Sequence, residues 1–537
     1  MIKQLFSSQS KTITGAAIIL GVASFVSRLV GILRDRVLAH HFGAGDVLDA
    51  YYSAFRIPDL LFNLLIAGAL SAGFIPVFLE IWKKDKQRAW DLTNSLLSLV
   101  LICFAIASVI LYAVTPSMMR ALVPGFDAQK LDLTISLTRI MLLSPIFLAI
   151  SSVISSVLHS LKNFMVFAIS PILYNLGIIA GVVFFVPRFG VTGLAWGVVL
   201  GALLHVGIQI PALIHQGFSY RPLLNIKDTY VKKIVLLTIP RTLGLATHQI
   251  NLLVVTLIAS GLSAGSVTIF HFANNLQYFP IGLIGHSFAI AAFPTMAALV
   301  AEGRTHQMIE HLSRTIRQIL FLIIPATIIF LLLRAQIVRV ILGSGQFNWS
   351  DTVLTADTLA FFVLSLFAQS LILLLARAFY ALQDTWTPFN VGLATVAVNI
   401  AASLYFKEHL GVRGLALAFS LSACVQLALL WLILRKRLHT LSEARMLESL
   451  YKISLAALVM APVIQYLKEP LSRLVDMTRF WGIFTQGFVA GMAGLLIYLV
   501  MCHILRVEEF ELFKNSLKRR WLKIRKTTET TVEHSDV

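Results

Sequence analysis

Gly190-Val191-Thr192-Gly193-Leu194-Ala195 recurs as Gly411-Val412-Arg413-Gly414-Leu415-Ala416, 221 residues further on. The same offset carries Leu161-Lys162-Asn163 onto Leu382-Gln383-Asp384 and sets His159 opposite Tyr380. Two separated matches at one offset mark an internal repeat. Each copy lies among apolar segments of roughly 20 residues, the length a helix needs to cross the hydrocarbon core. Such segments begin at Ile13 and continue almost to the C-terminus, centred near residues 22, 60, 103, 145, 175, 202, 245, 282, 325, 367, 396, 423, 457 and 492. The expectation is an all-α polytopic membrane protein with fourteen transmembrane helices. Helices one to six and seven to twelve make two six-helix lobes, residues 1–220 and 221–440. Six is even, so both lobes enter the membrane in the same orientation, a parallel repeat of the kind transporters use. Two additional C-terminal helices occupy 441–505, and a basic cytoplasmic tail follows at 506–537. Segments 47–75 and 266–300 exceed the minimum span, which allows tilt, kinks or extension beyond the lipid.

Composition agrees with that plan. The chain is 58% hydrophobic and 13% charged, with a mean hydropathy of +0.83, where soluble domains carry about 25% charged residues. No long polar stretch leaves room for an extramembrane catalytic domain. Cys103, Cys424 and Cys502 fall singly in apolar segments and suggest neither a disulfide framework nor a metal cluster. The formal charge of +18 calls for no nucleic acid. With the first tail inside, the cytoplasmic connections hold more than twice as many Lys and Arg as the outer ones, which places both termini in the cytoplasm. Lys514, Lys518, Arg519, Arg520, Lys523, Arg525 and Lys526 then lie against anionic lipid headgroups. The first apolar run is too long for a signal peptide and is expected to remain as a helix.

Arg28, Arg56, Arg139 and Arg241 interrupt stretches apolar enough to span. Charges at that depth must face protein or a wet cavity, so several cations together point to a chamber for something anionic. Arg28, Gly31 and Asp35 share one helix face, with Arg34 roughly 120° from Arg28. An arginine fork there suits phosphate oxygens; the alternative is a local ion-pair network of Arg34, Asp35 and Arg36. Asp49, Tyr52, Arg56 and Asn63 form a second stripe, in which Asp59 is an alternative partner for Arg56 and Asp49 positions donors rather than binding an anion. Arg241, Thr242, His248, Gln249 and Asn251 follow Pro240 as a comparable stripe. His271, Asn274, Asn275 and Gln277 are either partners for sugar and amide groups or interhelical glue. Arg139 is expected to snorkel to the headgroups. No phosphate loop, HExxH pair or CxxC array supports ATP hydrolysis, zinc chemistry or a cofactor. Two lobes around one polar centre favour alternating access over a ring-built pore.

Ser27-Arg28-Leu29-Val30-Gly31-Ile32-Leu33-Arg34-Asp35, Phe42-Gly43-Ala44-Gly45, Asp49-Ala50-Tyr51, Phe55-Arg56-Ile57-Pro58-Asp59-Leu60-Leu61, Gly68-Ala69-Leu70-Ser71 and Phe74-Ile75-Pro76 together resemble the MurJ (MviN) family of lipid II flippases. Gln249-Ile250-Asn251, Phe279-Pro280 and Arg377-Ala378-Phe379-Tyr380-Ala381-Leu382 continue the resemblance. It implies a monomeric, fourteen-helix member of the multidrug/oligosaccharidyl-lipid/polysaccharide exporter superfamily in the bacterial cytoplasmic (inner) membrane. The implied substrate is lipid II, the undecaprenyl-pyrophosphate-linked peptidoglycan precursor, moved from the inner to the outer leaflet without covalent catalysis. By the same resemblance Arg28 and Arg34 line the central cavity, Arg56 is a basic cavity position, Asp49 is an important acid, and the last two helices form a groove for the lipid tail. The chain departs from the family at Phe62 and Asn275, where other members carry arginine, and at Ala67 and Asn274, where they carry an acid. Arg241, where many members are neutral, is expected to compensate. The expected substrate contacts are therefore Arg28, Arg34, Arg56, Arg241 and Asn275, with Asp35, Asp49 and Asn274 organising the cavity. A flippase for another undecaprenyl-linked glycan, or a MATE-like ion-coupled drug antiporter, are the alternatives.

Overall fold

Helix α1 (Ile13–Phe42) ends where Gly43 takes a φ of +62°, a left-handed conformation open to glycine at little cost. The structure, a computed structural model, describes residues 13–65, 69–225 and 227–515, and for 13–20, 64–65, 69–72 and 237–248 the backbone alone. The long segment at 47–75 is divided rather than continuous. Pro58 has no N–H to give the carbonyl of Ala54, so α2 (Asp46–Ala54) stops at Phe55 and α3 (Arg56–Leu65) starts afresh. There follow α4 (Ala69–Trp82), α5 (Lys86–Leu122), α6 (Ala128–Ser160), α7 (Phe164–Phe189), α8 (Thr192–His215), α9 (Thr229–Ser260) and α10 (Ser266–Ala301). Carboxylates cap several of them: Asp85 accepts from the Arg88 amide at 3.1 Å and Asp127 from the Lys130 amide at 2.9 Å. α7 and α10 each contain a π-helical turn, Gly181–Phe185 and Ile281–His286, beside Pro187 and Pro280, which cannot donate to the helical ladder.

The remaining helices are α11 (Thr305–Leu332), α12 (Arg334–Ile341), α13 (Trp349–Val363), α14 (Leu366–Ala381), α15 (Trp386–Leu410), α16 (Val412–Leu438), α17 (Glu443–Leu474) and α18 (Phe480–Ile504). Among the described residues there is no strand, ten helices are long and apolar enough to cross a membrane, and the α13–α14 pair, bent by 46°, passes the same test only when its two helices are taken together. This is an all-α polytopic membrane protein. The expected centres near 22, 60 and 245 fall in α1, in the α2–α4 segment and in α9, each of which includes positions without described side chains.

The repeat persists in the backbone where sequence identity has gone. The offset of 221 carries the ends of α6, Ala128 and Ser160, onto the start of α13 at Trp349 and the end of α14 at Ala381. α6 loosens at Leu142-Leu143, and its counterpart bends at Leu364-Ser365. Lys162 and Gln383, one offset apart, both take positive φ, 61° and 59°, which few side-chain-bearing residues do. The same helix-ending bonds surround them: Asn163 N to Leu158 O at 2.8 Å, and Asp384 N to Phe379 O at 2.9 Å. Gly190 and Gly411 share a positive φ as well. A side chain at Gly193 or Gly414 would strike the backbone of Phe185 or Phe406.

Two compact units emerge from the packing: Met1–Phe272 with Ile341–Thr355 and Gly392–Ala418, and Ala273–Val340 with Ala356–Val391 and Phe419–Val537. In the first, Gly177 of α7 lies on Gly201 of α8 and Gly181 on Gly197, a small-residue seam that lets two helices gain close contact where lipid supplies no hydrophobic drive. Phe74, Phe78, Trp90, Leu96, Val153 and Val157 fill its interior.

In the second unit, Arg317 of α11 donates to Glu508 at 2.7 Å and to Glu509, and Ser449 of α17 donates to the other Glu509 oxygen at 2.7 Å. Tyr498 of α18 donates to the Phe321 carbonyl of α11 at 2.7 Å, so three helices are stapled at one level. Arg317 and Glu509 are buried, and removing one member of a buried pair costs about 3–5 kcal/mol. Glu509→Gln is therefore expected to lower the thermal midpoint of the detergent-solubilised protein by several degrees; an unchanged midpoint would show that the staple adds nothing. The Arg317 hydrogen bond also holds Glu508 below the usual carboxylate range. Its contribution is present at neutral pH and lost as pH falls through that lowered value, and it is small because Glu508 is largely exposed.

Candidate functional site

The C-terminal half of α1 carries Arg34 and Asp35 within the first unit. Arg34 donates through Nε and Nη2 to Asp35 Oδ1 at 3.0 and 2.7 Å, and through Nη1 to Asn175 Oδ1 of α7 at 3.0 Å. Asn175 is itself oriented, its Nδ2 donating to the Pro171 carbonyl at 3.0 Å. Gly31 lies beside Asn175, where a Cβ would make only ordinary contact, 3.9 Å from Oδ1. Arg56, the first residue of α3, is buried and donates through Nε to Thr256 Oγ1 of α9 at 2.8 Å, while its Nη1 and Nη2 have no hydrogen-bond partner among the described residues. The Asp59 carboxylate lies within electrostatic reach of both Arg56 and Arg34, as does His271. Tyr52 stacks on His271 with ring centroids 3.9 Å apart, and its hydroxyl is buried without a hydrogen-bond partner among the described residues. Tyr51 and Tyr174 are in electrostatic reach of Arg34. The result is a cluster of two guanidinium groups, two carboxylates and phenol, imidazole and amide groups.

Asp49 sits in a different network. Its carboxylate accepts from Lys130 Nζ of α6 at 2.9 Å, from the Gly265 and Thr268 amides at 2.7 and 2.8 Å, and from Thr268 Oγ1 at 2.7 Å. Gly265 and Thr268 open α10, so Asp49 caps a helix that begins 216 residues later in the chain. Lys130 also reaches Asp46 at 2.7 Å. Beside this knot, Gly43 packs against the Gln346 carbonyl, and the Ala44 amide donates to Asp351 at 3.3 Å.

The structure brings Arg34, Asp35 and Arg56 together and sets Asp49 apart in the helix-capping knot. Arg28 is exposed and makes no ion pair with a described residue. Asn274 and Asn275 belong to the second unit, where Asn274 accepts from Gln277 at 3.0 Å, Gln277 from Gln369 at 2.9 Å, and Asn275 is also engaged. The side chain of Arg241, like those of Thr242 and His248, lies outside the described residues, as does Ala67. Phe62 packs against the apolar interior of the first unit, and Arg139 stacks on Tyr112 at 4.7 Å. Sequence reasoning missed Asn175, Thr256 and Lys130. Asn175 had a signal, an amide within the apolar run of α7; nothing local marks Lys130 as the partner of Asp49.

Comparison with known proteins supplies the family. The family model described as "Lipid II flippase MurJ" matches residues 38–485. A probable lipid II flippase MurJ from Rhizobium tropici is 29% identical over 520 residues, 94% of this chain and 96% of that protein. The lipid II flippase MurJ of Burkholderia cenocepacia is 30% identical over 426 residues, covering 77% of this chain and 82% of its own. A solved structure, "Lipid II flippase MurJ, inward closed conformation", shares the fold at a TM-score of 0.75, 23% identity, 91% of this chain and 98% of the other. An inward-facing MATE family transporter of the MOP superfamily shares it less closely, at 0.68 and 17%, over 80% of this chain and 99% of its own. With five-sixths of its length matched by one family model and relatives of that family aligned along most of the chain, this protein belongs to the lipid II flippase MurJ family.

Proposed function

We propose that the protein is a lipid II flippase, moving the undecaprenyl-pyrophosphate-linked precursor from the inner to the outer leaflet of the bacterial inner membrane by alternating access. It acts as a transporter, with no covalent step. The observation that carries this reading is the Arg34–Arg56 cluster: a buried arginine with two nitrogens unengaged among the described residues, in a chain of this family, where a buried cation is costly. The headgroup cannot cross hydrocarbon unaided, because its charges and polar groups would be stripped of water. Arg34 and Arg56 engage the pyrophosphate, with Arg28 on the same helix and Arg241 assisting from the second half of the repeat. Asp35, Asp49 and Asn274 order the surroundings, and Asn275 meets uncharged parts of the headgroup.

The architecture behind this mechanism is fourteen helices in two parallel lobes, 1–220 and 221–440, with two further helices at 441–505, a basic tail at 506–537 and both termini cytoplasmic. The recurrence of caps and bends at the 221-residue offset supports it. The working unit is a monomer, and phospholipids are its other partners. An inward-negative potential favours outward movement of an anion by about 2.3 kcal/mol per charge per 100 mV.

Vesicles containing the purified protein and offered lipid II, another undecaprenyl-linked sugar and an organic cation test the reading. Outward movement of lipid II is the expected result, with Arg241→Gln reducing it several-fold; a preference for the cation would favour drug antiport, the activity of the MATE transporters that share this fold. Unchanged transport by Arg241→Gln would remove that residue from the site.

A further inference from the structure

A second pair of cations meets at the C-terminal end of α11, within the second unit. Arg334 donates through Nη1 to the Leu331 carbonyl at 3.0 Å, and Lys468 of α17 donates through Nζ to the Leu332 carbonyl at 3.1 Å. The two act on each other electrostatically. Both are half-buried and built in: the Lys468 carbonyl accepts from Gln486 Nε2 of α18 at 2.7 Å, and Gln486 Oε1 accepts from Gln336 of α12 at 3.0 Å. Gly487 leaves room for Gln336, since a side chain there would crowd its Cβ at 3.3 Å. Capping accounts for one hydrogen of each cation. It leaves Arg334 Nη2 and two ammonium hydrogens of Lys468 without a hydrogen-bond partner among the described residues. The two positive charges are only partly offset: the helix end offers about half a negative charge, and Asp357 pairs with Arg334 at 3.7 Å without closing to a hydrogen bond.

We propose that Arg334 and Lys468, beside the Gln336–Gln486 amide pair, form a second phosphate-recognising site that takes the pyrophosphate of the lipid-linked headgroup after it has crossed. The inference rests on the flippase reading and its orientation. The N-terminus of α11 lies by the cytoplasmic connection 300–318, so its C-terminus lies at the outer face, where the positive-inside bias makes paired cations unusual. An arginine fork and a lysine point charge together suit adjacent phosphate oxygens. A waiting site there separates product from the central arginines and lets the empty transporter return.

Farnesyl pyrophosphate is a suitable probe, counted by native mass spectrometry on the full chain in zwitterionic nanodiscs. The wild type is expected to bind two equivalents, Arg334→Gln/Lys468→Gln one, and Lys468→Arg two. Arg34→Gln is expected to keep the outer equivalent. Added phosphatidylglycerol should not displace it; displacement would assign the site to phospholipid and overturn the proposal, as would two equivalents on the double variant. If the double variant does not fold, Lys468→Gln alone carries the count, with at least a tenfold weaker outer equivalent expected and unchanged affinity overturning the proposal. Lipid II movement by the same wild-type preparation is measured separately, so failure of the flippase reading shows as absent transport with the binding count intact.

Discussion

Asp49→Asn is expected to slow lipid II movement at least tenfold while leaving the protein folded. The Asp49 carboxylate accepts four hydrogen bonds and is almost wholly buried. Asparagine is the same size, but its NH2 group must face donors, either Lys130 or the opening amides of α10. Neutralising one side of a buried pair costs about 3–5 kcal/mol, and each stranded amide about 1–3 kcal/mol. Lys130 keeps Asp46, which softens the loss. The network ties Asp49 to the start of α10, 216 residues on, so in the proposed alternating-access cycle it belongs to the state in which those segments touch. A transporter works only while its states are close in energy, and about 3 kcal/mol shifts their ratio more than a hundredfold. Cysteine-accessibility labelling, beside transport in vesicles, reads the shifted population. Wild-type transport by Asp49→Asn would reduce the knot to simple packing.

The repeat was legible because glycine and helix-ending residues leave marks in sequence. GVxGLA kept its glycines where helices touch, and Leu161-Lys162-Asn163 kept enough of its cap to find Leu382-Gln383-Asp384. The divided segment at 47–75 was less legible: Pro58 was visible, but its effect depends on where a helix starts, which hydropathy does not give. Helix periodicity put Arg28 and Asp35 on one face, yet Asp35 is buried and Arg28 exposed. A face has no depth until its neighbours are known. Arg34 to Asn175 spans 141 positions, Arg56 to Thr256 spans 200, and no local pattern encodes either pairing.

Charge balance is where the structure changes the reading most. The sequence leaves an anion site and local ion pairs open for these arginines; in the structure Arg34 is bonded to Asp35 and Arg56 lies in the field of Asp59. Two guanidiniums against two carboxylates make a nearly neutral cluster. On the proposed flippase reading, pyrophosphate binding is an exchange, in which Arg34 turns from carboxylate to phosphate, rather than the filling of a purely positive hole. An exchange site avoids holding a bare double cation at membrane depth during the return step, when no substrate is present.

Arg56→Gln is accordingly expected to reduce lipid II movement by two orders of magnitude, and Arg34→Gln by at least one. Hydrogen bonds to a charged group contribute about 1.5–3 kcal/mol each, and Arg56 offers two unengaged donors where Arg34 must first give up a partner. Arg56→Lys keeps the charge and loses the fork, so its transport should fall between the two. A structural role predicts something different for the ion pair. If Arg34 only neutralises Asp35, the charge-balanced variant Arg34→Gln/Asp35→Asn restores both thermal stability and transport. If Arg34 carries phosphate, that variant recovers stability and still fails to move lipid II in vesicles. Recovery of transport by the double variant would take Arg34 out of substrate binding and leave Arg56 as the cation on which the site depends.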